Sequence, residues 1–151
     1  MAAHLSLVVG RADHYVGAVI GYAALVVIYD TAAYATGATL GRRPIAPQVS
    51  PNKSWEGAIG ASIACLAAGA FLLPLWEPWT LASGLVLAGA TCVVAPLGDL
   101  SESMLKRDLA VKDMGSILPG HGGVLDRVDA LLFVAPVLYY VLAAFDLVHA
   151  P

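Results

Sequence analysis

The sequence predicts an all-α fold, a polytopic integral membrane bundle of about four transmembrane helices with further helices in its cytoplasmic loops. Of its 151 residues, 59% are hydrophobic and only 13% are charged. The mean hydropathy of +0.77 lies outside the range of soluble proteins. The apolar residues form four runs, at 15–40, 58–76, 80–98 and 130–148. Because a helix needs about 20 apolar residues to cross a bilayer and must satisfy its own backbone there, each run predicts a spanning helix within a single domain, 1–151.

The overall composition excludes some classes of function. The net charge of -3 at pH 7 argues against a nucleic-acid partner, because phosphate-backbone binding needs a surplus of Lys and Arg. Cys65 and Cys92 lie inside apolar runs without metal-ligand spacing, which predicts small core residues rather than a disulfide or a zinc site. The first residues lack a basic region before their apolar stretch, so we expect a frayed start rather than a secretory signal.

The basic residues predict the orientation in the membrane. Seven of the eight Lys and Arg residues lie in two loops, at 41–57 and 99–129, and the eighth is Arg11. By the positive-inside rule these loops are cytoplasmic, and the termini and the tight turn at Glu77-Pro78 lie on the other side. The pairs Gly17 and Gly21, and Gly37 and Gly41, predict faces where helices approach closely.

Asp30 interrupts the first apolar run and is a candidate functional residue. It precedes Arg42 by twelve residues, which places it well below the membrane surface on a helix. Acids at such a depth usually face a polar cavity and a cationic partner. The alternative is a hydrated Asp at a helix end, if the first span ends near Tyr29.

The first cytoplasmic loop predicts a helix start that could bind an anion. Its prolines impose extended or turn geometry, and Ser54 is placed to cap the second helix. Lys53 and Ser54, with the backbone donors of that helix start, would form the anion site. A plain basic loop with a helix cap explains the same residues equally well. Since no Walker-type motif is present, a nucleotide site must be built from helix ends and loops.

The second cytoplasmic loop begins with a stripe of charge. Asp99, Glu102, Ser103 and Lys106 recur at helical spacing, which predicts that the third span continues as a helix into the cytoplasm with these side chains on one face.

The same loop ends with two carboxylates at the membrane boundary. The turn His121-Gly122-Gly123 requires a tight bend or a close approach to a ligand. Asp126 and Asp129 then share one helical face, and together with Asp99 they could converge on a hard cation such as Mg²⁺. The alternative is a solvated connector held by salt bridges.

Three sequence blocks resemble the phosphatidate cytidylyltransferase (CDP-diacylglycerol synthase) family. The longest block runs from Ser103 to Asp129 without a departure from the family pattern. The second is Asp30-Thr-Ala-Ala-Tyr34 with Gly37 and Gly41, and the third runs from Ser50 to Gly57. The long block comprises Ser103, Lys106-Arg107, Lys112-Asp113, Gly115, Leu118-Pro119, His121-Gly122-Gly123 and Asp126-Arg127-Val128-Asp129.

The resemblance implies a reaction in which CTP and phosphatidate give CDP-diacylglycerol and pyrophosphate, with Mg²⁺ as cofactor and a second cation left open. It further implies a homodimer in a prokaryotic inner membrane, with the site on the cytoplasmic face. The catalytic residues it implies are Asp99, Lys106, Arg107 and Asp126, and the metal ligands are Asp99, Asp126 and Asp129. The substrate-binding residues it implies are Asp30, Ser50, Lys53, Ser54, Ser103, Lys112, Asp113, His121, Gly122, Gly123 and Arg127.

The chain departs from the family pattern in the first loop and in length. Asn52 stands where Lys is common, Ser54 replaces Thr, and Ala38 stands where a basic residue is frequent, so the first loop offers less positive charge for phosphate. Family members carry further helices upstream, and the resemblance therefore covers their C-terminal catalytic half. Other hypotheses are the same chemistry on another lipid, such as an archaeal-type ether lipid, a non-catalytic membrane fragment or partner, and half of a transporter.

Overall fold

The computed structural model describes residues 2–11, 14–47, 50–108 and 125–147, and gives the backbone alone for 2, 10, 11, 51, 52 and 125–129. Its helices are α1 (Ala2–Arg11), α2 (Tyr15–Leu40), α3 (Trp55–Ala67), α4 (Leu81–Asp108) and α5 (Leu125–Ala144). A π-helical turn and a 3₁₀ turn, Ala68–Leu72 and Leu73–Leu75, extend α3. Two short strands, β1 (Pro44–Ala46) and β2 (Ser50–Ser54), pair antiparallel between α2 and α3.

The predicted all-α membrane class is confirmed. Three helical segments have the length and apolar character of a membrane span: Tyr15–Leu40, Trp55–Leu75 and Leu81–Asp108. The fourth predicted span corresponds to α5, whose described apolar part, Ala130–Ala144, is shorter than a full crossing. Helix α4 continues ten residues past Gly98, as its charged stripe predicts, whereas the first loop forms a β-hairpin where only turns and extended segments were expected.

Helix α1 corrects the expectation of a frayed start. Val8 is fully buried, and the helix packs against α5 and α2. The His4 ring lies against Tyr139 and Tyr140 of α5, with centroid separations of 5.9 and 5.8 Å. A short helix is stabilised mainly by the packing of its apolar face against other helices. The sequence does not show those neighbours, so this segment could not be recognised from it as an ordered helix.

The core lies along the centre of the bundle, where α2, α4 and α5 meet. Leu25, Leu87 and Leu138 are completely buried there. The Tyr22 hydroxyl donates a 2.6 Å hydrogen bond to the Leu131 carbonyl, which joins α2 to α5. Cys65 is buried and Cys92 partly buried, and both are free thiols, as predicted for core residues.

The glycines of α2 contact two different partners. Gly17 and Gly21 face the turn after α3 rather than a helix, and the Trp79 indole N–H donates a 3.1 Å hydrogen bond to the Gly17 carbonyl. At the same end, His14 Nε2 lies 3.4 Å from Glu77 Oε2. Gly37 instead lies beside Gly57 at the start of α3, which agrees with the predicted close approach of helices.

Replacing Gly84 with Ala is expected to lower the free energy of unfolding by about 1–3 kcal/mol, because an added Cβ would collide with the backbone carbonyl of Gly69. Gly89→Ala is the matched control on the same helix, since a Cβ there would meet nothing within 4 Å. That control should be neutral or slightly stabilising through its better helix propensity. Unfolding in detergent, followed by circular dichroism, measures both, and equal stability of the two variants would contradict this packing.

Candidate active site

A cavity of about 300 Å³ lies between α2, the β-hairpin, the start of α3 and the middle of α4. It brings together five side chains that the sequence proposes for the site: Asp30, Ser50, Lys53, Ser54 and Asp99. These residues come from three separate parts of the chain. The cavity is therefore the place where the sequence blocks that begin at Asp30 and at Ser50 meet the charged stripe of α4.

Asp30 reaches the cavity from the interior of a long helix. Helix α2 spans 26 residues and continues to Leu40, so it does not end near Tyr29 as the alternative interpretation required. Tyr34, one turn further along, also lines the cavity and is 80% exposed. The cavity therefore has an open side at the outward face of α2.

The β-hairpin holds the start of α3 in a fixed position. Ser54 is the N-cap residue, and its hydroxyl accepts a 3.2 Å hydrogen bond from the Gly57 N–H, as predicted. Glu56 Oε2 accepts hydrogen bonds from the backbone N–H groups of Arg42 and Arg43, at 3.0 and 3.2 Å. Together these bonds satisfy backbone donors at the start of α3 and in the segment between α2 and β1.

The glycines of two sequence blocks allow α2 and α3 to touch. A Cβ on Gly57 would lie 2.9 Å from the Ala33 carbonyl oxygen and 3.2 Å from the Gly37 Cα. The Thr36 hydroxyl donates a 2.6 Å hydrogen bond to the Ala32 carbonyl of its own helix and lies 3.2 Å from the Gly57 carbonyl oxygen of α3. Since only a hydrogen atom fits between these backbones, the spaced glycines set the distance between Asp30 and the Lys53–Ser54 segment.

The charged stripe lies on the continuous helix α4, as predicted, and its side chains are at least partly buried. Glu102 is buried, Asp99, Ser103 and Lys106 are partly buried, and Arg107 is exposed. Glu102 Oε1 lies 3.2 Å from Lys106 Nζ in an i,i+4 ion pair. The Ser103 hydroxyl donates a 2.8 Å hydrogen bond to the Asp99 carbonyl oxygen of its own helix. Of this stripe only Asp99 lines the cavity, and Ser103, Lys106 and Arg107 lie further along α4.

Lys53 and Asp99 form an ion pair across the cavity. The Lys53 ammonium is shielded from solvent, whereas the Asp99 side chain remains 42% exposed. The sequence assigns these residues to different ligands, Lys53 to phosphate and Asp99 to metal. In this structure they bind each other.

Several predicted site residues lie outside the described part of the chain. These are Lys112, Asp113, His121, Gly122 and Gly123, and for Asp126, Arg127 and Asp129 the description covers only the backbone at the start of α5. Among the described side chains, no group of three or more His, Cys, Asp or Glu residues is arranged to hold a metal ion. The convergence of Asp126 and Asp129 on Asp99 stays a prediction.

Tyr29 and Pro96 line the cavity and were missed by the sequence interpretation. Tyr29 immediately precedes Asp30 in α2 and is only 4% exposed. Pro96 lies inside α4, three residues before Asp99. The sequence did contain one signal for this part of the cavity, a proline in the middle of an apolar span and close to a carboxylate. A proline inside a helix has no N–H to donate, so one carbonyl of the preceding turn is left without its usual hydrogen bond.

The fold and the cavity define a polytopic membrane protein with a charged site between its helices. The chain belongs to the cytidylyltransferase family, whose model matches residues 1–145, and this confirms the resemblance found in the sequence.

Named relatives agree with this membership. The phosphatidate cytidylyltransferase of Bacillus subtilis is 44% identical over 148 residues, which cover 97% of this chain and 55% of that protein. The proteins of the same name from Haemophilus influenzae and Brucella suis are 44% and 46% identical and are matched over 40% and 43% of their length. Those alignments cover 74% and 77% of this chain. The chain thus spans about half the length of these curated relatives.

Proposed function

We propose that this chain carries the catalytic region of a phosphatidate cytidylyltransferase, which joins CTP and phosphatidate to give CDP-diacylglycerol and pyrophosphate. The observation that carries the proposal is the cavity that collects Asp30, Lys53, Ser54 and Asp99. A cavity with acidic and basic side chains suits a reaction between two phosphate groups, because one sign of charge binds phosphate and the other binds the counter-ion. The names of the relatives supply the particular substrates.

The chemistry demands positioning more than proton transfer. A phosphate monoester is largely a dianion near neutral pH, so the lipid phosphate is already a nucleophile. Its oxygen forms a bond to the α-phosphorus of CTP, the bond from that phosphorus to the bridging oxygen breaks, and pyrophosphate leaves with the electron pair. The Lys53 ammonium would neutralise phosphate charge, as would Lys106, Arg107 and Lys112 from the motif along α4 and beyond it.

The proposal includes Mg²⁺ held by Asp99, Asp126 and Asp129. The described part of this set fits the ion, since Asp99 presents carboxylate oxygens to the cavity and Mg²⁺ prefers oxygen ligands. When bound, the ion would neutralise the phosphate charge of CTP. A second cation is left open. His121, Gly122 and Gly123 would shape the loop against the nucleotide, and Ser50, Ser103, Asp113 and Arg127 complete the proposed binding residues.

The open side of the cavity supports a lipid substrate. Asp30 and Tyr34 are exposed on the face of α2 that also carries the exposed apolar residue Val27. A lipid could place its phosphate in the cavity while its tails remain beside α2 in the bilayer. The active site would then lie on the cytoplasmic face of a prokaryotic inner membrane. A homodimer is the assembly that the family resemblance implies.

Incubation of the purified chain in detergent with labelled CTP, Mg²⁺ and phosphatidate tests the proposal, with labelled CDP-lipid as the expected product. Asp126→Asn should lower its formation by roughly 100-fold or more. Asp108→Asn, at the exposed end of α4, is the matched control and should retain activity.

Two comparisons make the assay decisive. Equal activity of Asp126→Asn and wild type would overturn the metal assignment. No CDP-lipid from the wild-type chain, beside activity of the Bacillus subtilis relative in the same assay, would contradict a self-sufficient catalytic region. An ether-linked lipid phosphate, supplied in parallel, tests the alternative substrate.

A further inference from the structure

We propose that Lys53 is an internal competitor for the metal at Asp99, so that the ammonium occupies the carboxylate until the phosphates of a nucleotide draw it away. This inference rests on the proposed function, because it concerns how the same site is loaded. It assigns Lys53 a second task beside phosphate binding. In the resting protein it neutralises Asp99 and keeps a lone divalent cation weakly bound.

The ion pair itself carries the first step of the argument. Lys53 Nζ contacts Asp99 Oδ2 and is shielded from solvent. An ammonium has three donors, and within the described residues no acceptor completes a regular hydrogen bond with it. The Lys53 ammonium therefore has donors to offer an incoming phosphate, and Asp99 is neutralised for as long as the pair persists.

The backbone on both sides of Lys53 is held by hydrogen bonds, so opening of the pair would be a movement of the Lys53 side chain alone. Lys53 immediately precedes the N-cap residue Ser54, whose bond to the Gly57 N–H fixes the start of α3. Glu56 fixes the neighbouring hairpin through the Arg42 and Arg43 N–H groups. The long side chain of Lys53 is flexible, and rotation about its bonds is sufficient to move the ammonium between Asp99 and a phosphate in the same cavity.

Competition for Asp99 couples the two ligands. A cation that approaches Asp99 must displace an ammonium of like charge, which weakens its binding in the absence of nucleotide. When nucleotide phosphates attract Lys53, the carboxylate is released for the metal. By thermodynamic linkage the effect is reciprocal, so metal and nucleotide each strengthen the binding of the other.

Titration of the purified chain with Mn²⁺ alone, followed by electron paramagnetic resonance, tests the competition without nucleotide or lipid. Lys53→Met is expected to bind Mn²⁺ roughly tenfold more tightly than wild type, which corresponds to about 1.4 kcal/mol for the removed competitor. Lys53→Arg keeps the positive charge and should stay close to wild type. Arg43→Gln, an exposed residue of the same hairpin, is the matched control and should change nothing.

Two further measurements keep the result interpretable. Asp99→Asn should remove the tight site in the Lys53→Met background, which establishes where the ion binds. Thermal unfolding of every variant in the same detergent identifies those that do not fold, and Lys53→Gln replaces Lys53→Met if the latter is among them.

An unchanged or weaker Mn²⁺ affinity in folded Lys53→Met would overturn the inference, because Lys53 would then be a bystander or a support for the metal site. A failure of the proposed function would give a different experimental result. It would appear as absent CDP-lipid formation by the wild-type chain, which the Mn²⁺ titration does not involve.

Discussion

Asp99→Asn is expected to reduce CDP-lipid formation by about 100- to 1,000-fold. The side chain lines the cavity, contacts Lys53 and is the one proposed metal ligand whose side chain the structure describes. An amide has the size of the carboxylate but lacks its charge, so it binds a divalent cation poorly and no longer attracts the ammonium. Initial rates measured with saturating CTP and phosphatidate give the size of the loss.

The same substitution should also cost stability. It leaves the Lys53 ammonium shielded from solvent without its counter-ion, a change worth about 1–3 kcal/mol. Thermal unfolding separates the two effects. A variant that is folded but forms almost no CDP-lipid has lost catalytic function and not structure. Asp108→Asn, about two and a half turns further along α4, should behave as wild type in both assays. If Asp99→Asn had the activity of the wild type, the proposed catalytic and metal-binding role of Asp99 would be wrong.

Lys106→Met is expected to lower both stability and activity, for two separate reasons. Lys106 pairs with Glu102, whose side chain is only 6% exposed, so the substitution takes an ion-pair partner from a buried carboxylate. We expect a loss of about 1–3 kcal/mol in the free energy of unfolding. Activity should fall at least tenfold if Lys106 also contacts phosphate, as the family pattern implies.

The double variant Glu102→Gln with Lys106→Met distinguishes the two reasons. Glu102→Gln should recover most of the lost stability, because the neutral amide no longer leaves an unpaired buried charge when Lys106 is replaced. Activity should stay low, since the ammonium is still missing. Recovery of both properties would show that Lys106 serves the packing of α4 alone, and recovery of neither would contradict the role assigned to the pair.

Local sequence patterns determined much of this protein. Long apolar runs predicted α2, α3 and α4, because a helix in lipid must satisfy its own backbone. The Ser54 cap and the continuation of α4 beyond its apolar run followed from side-chain chemistry and helical spacing, and both are confirmed. The spaced motif from Ser103 to Asp129 identified the family, because motif residues can be recognised without their positions in space.

Other features depended on tertiary structure. Nothing in the sequence indicated that Lys53 would pair with Asp99, because the pair joins β2 to the middle of α4, two segments that are distant in the chain. Tyr29 is buried beside the cavity, and α1 packs against α5. Both features likewise depend on neighbours that are remote in the chain. Composition and spacing thus proposed the residues of the site, whereas packing decided which of the described ones contact one another.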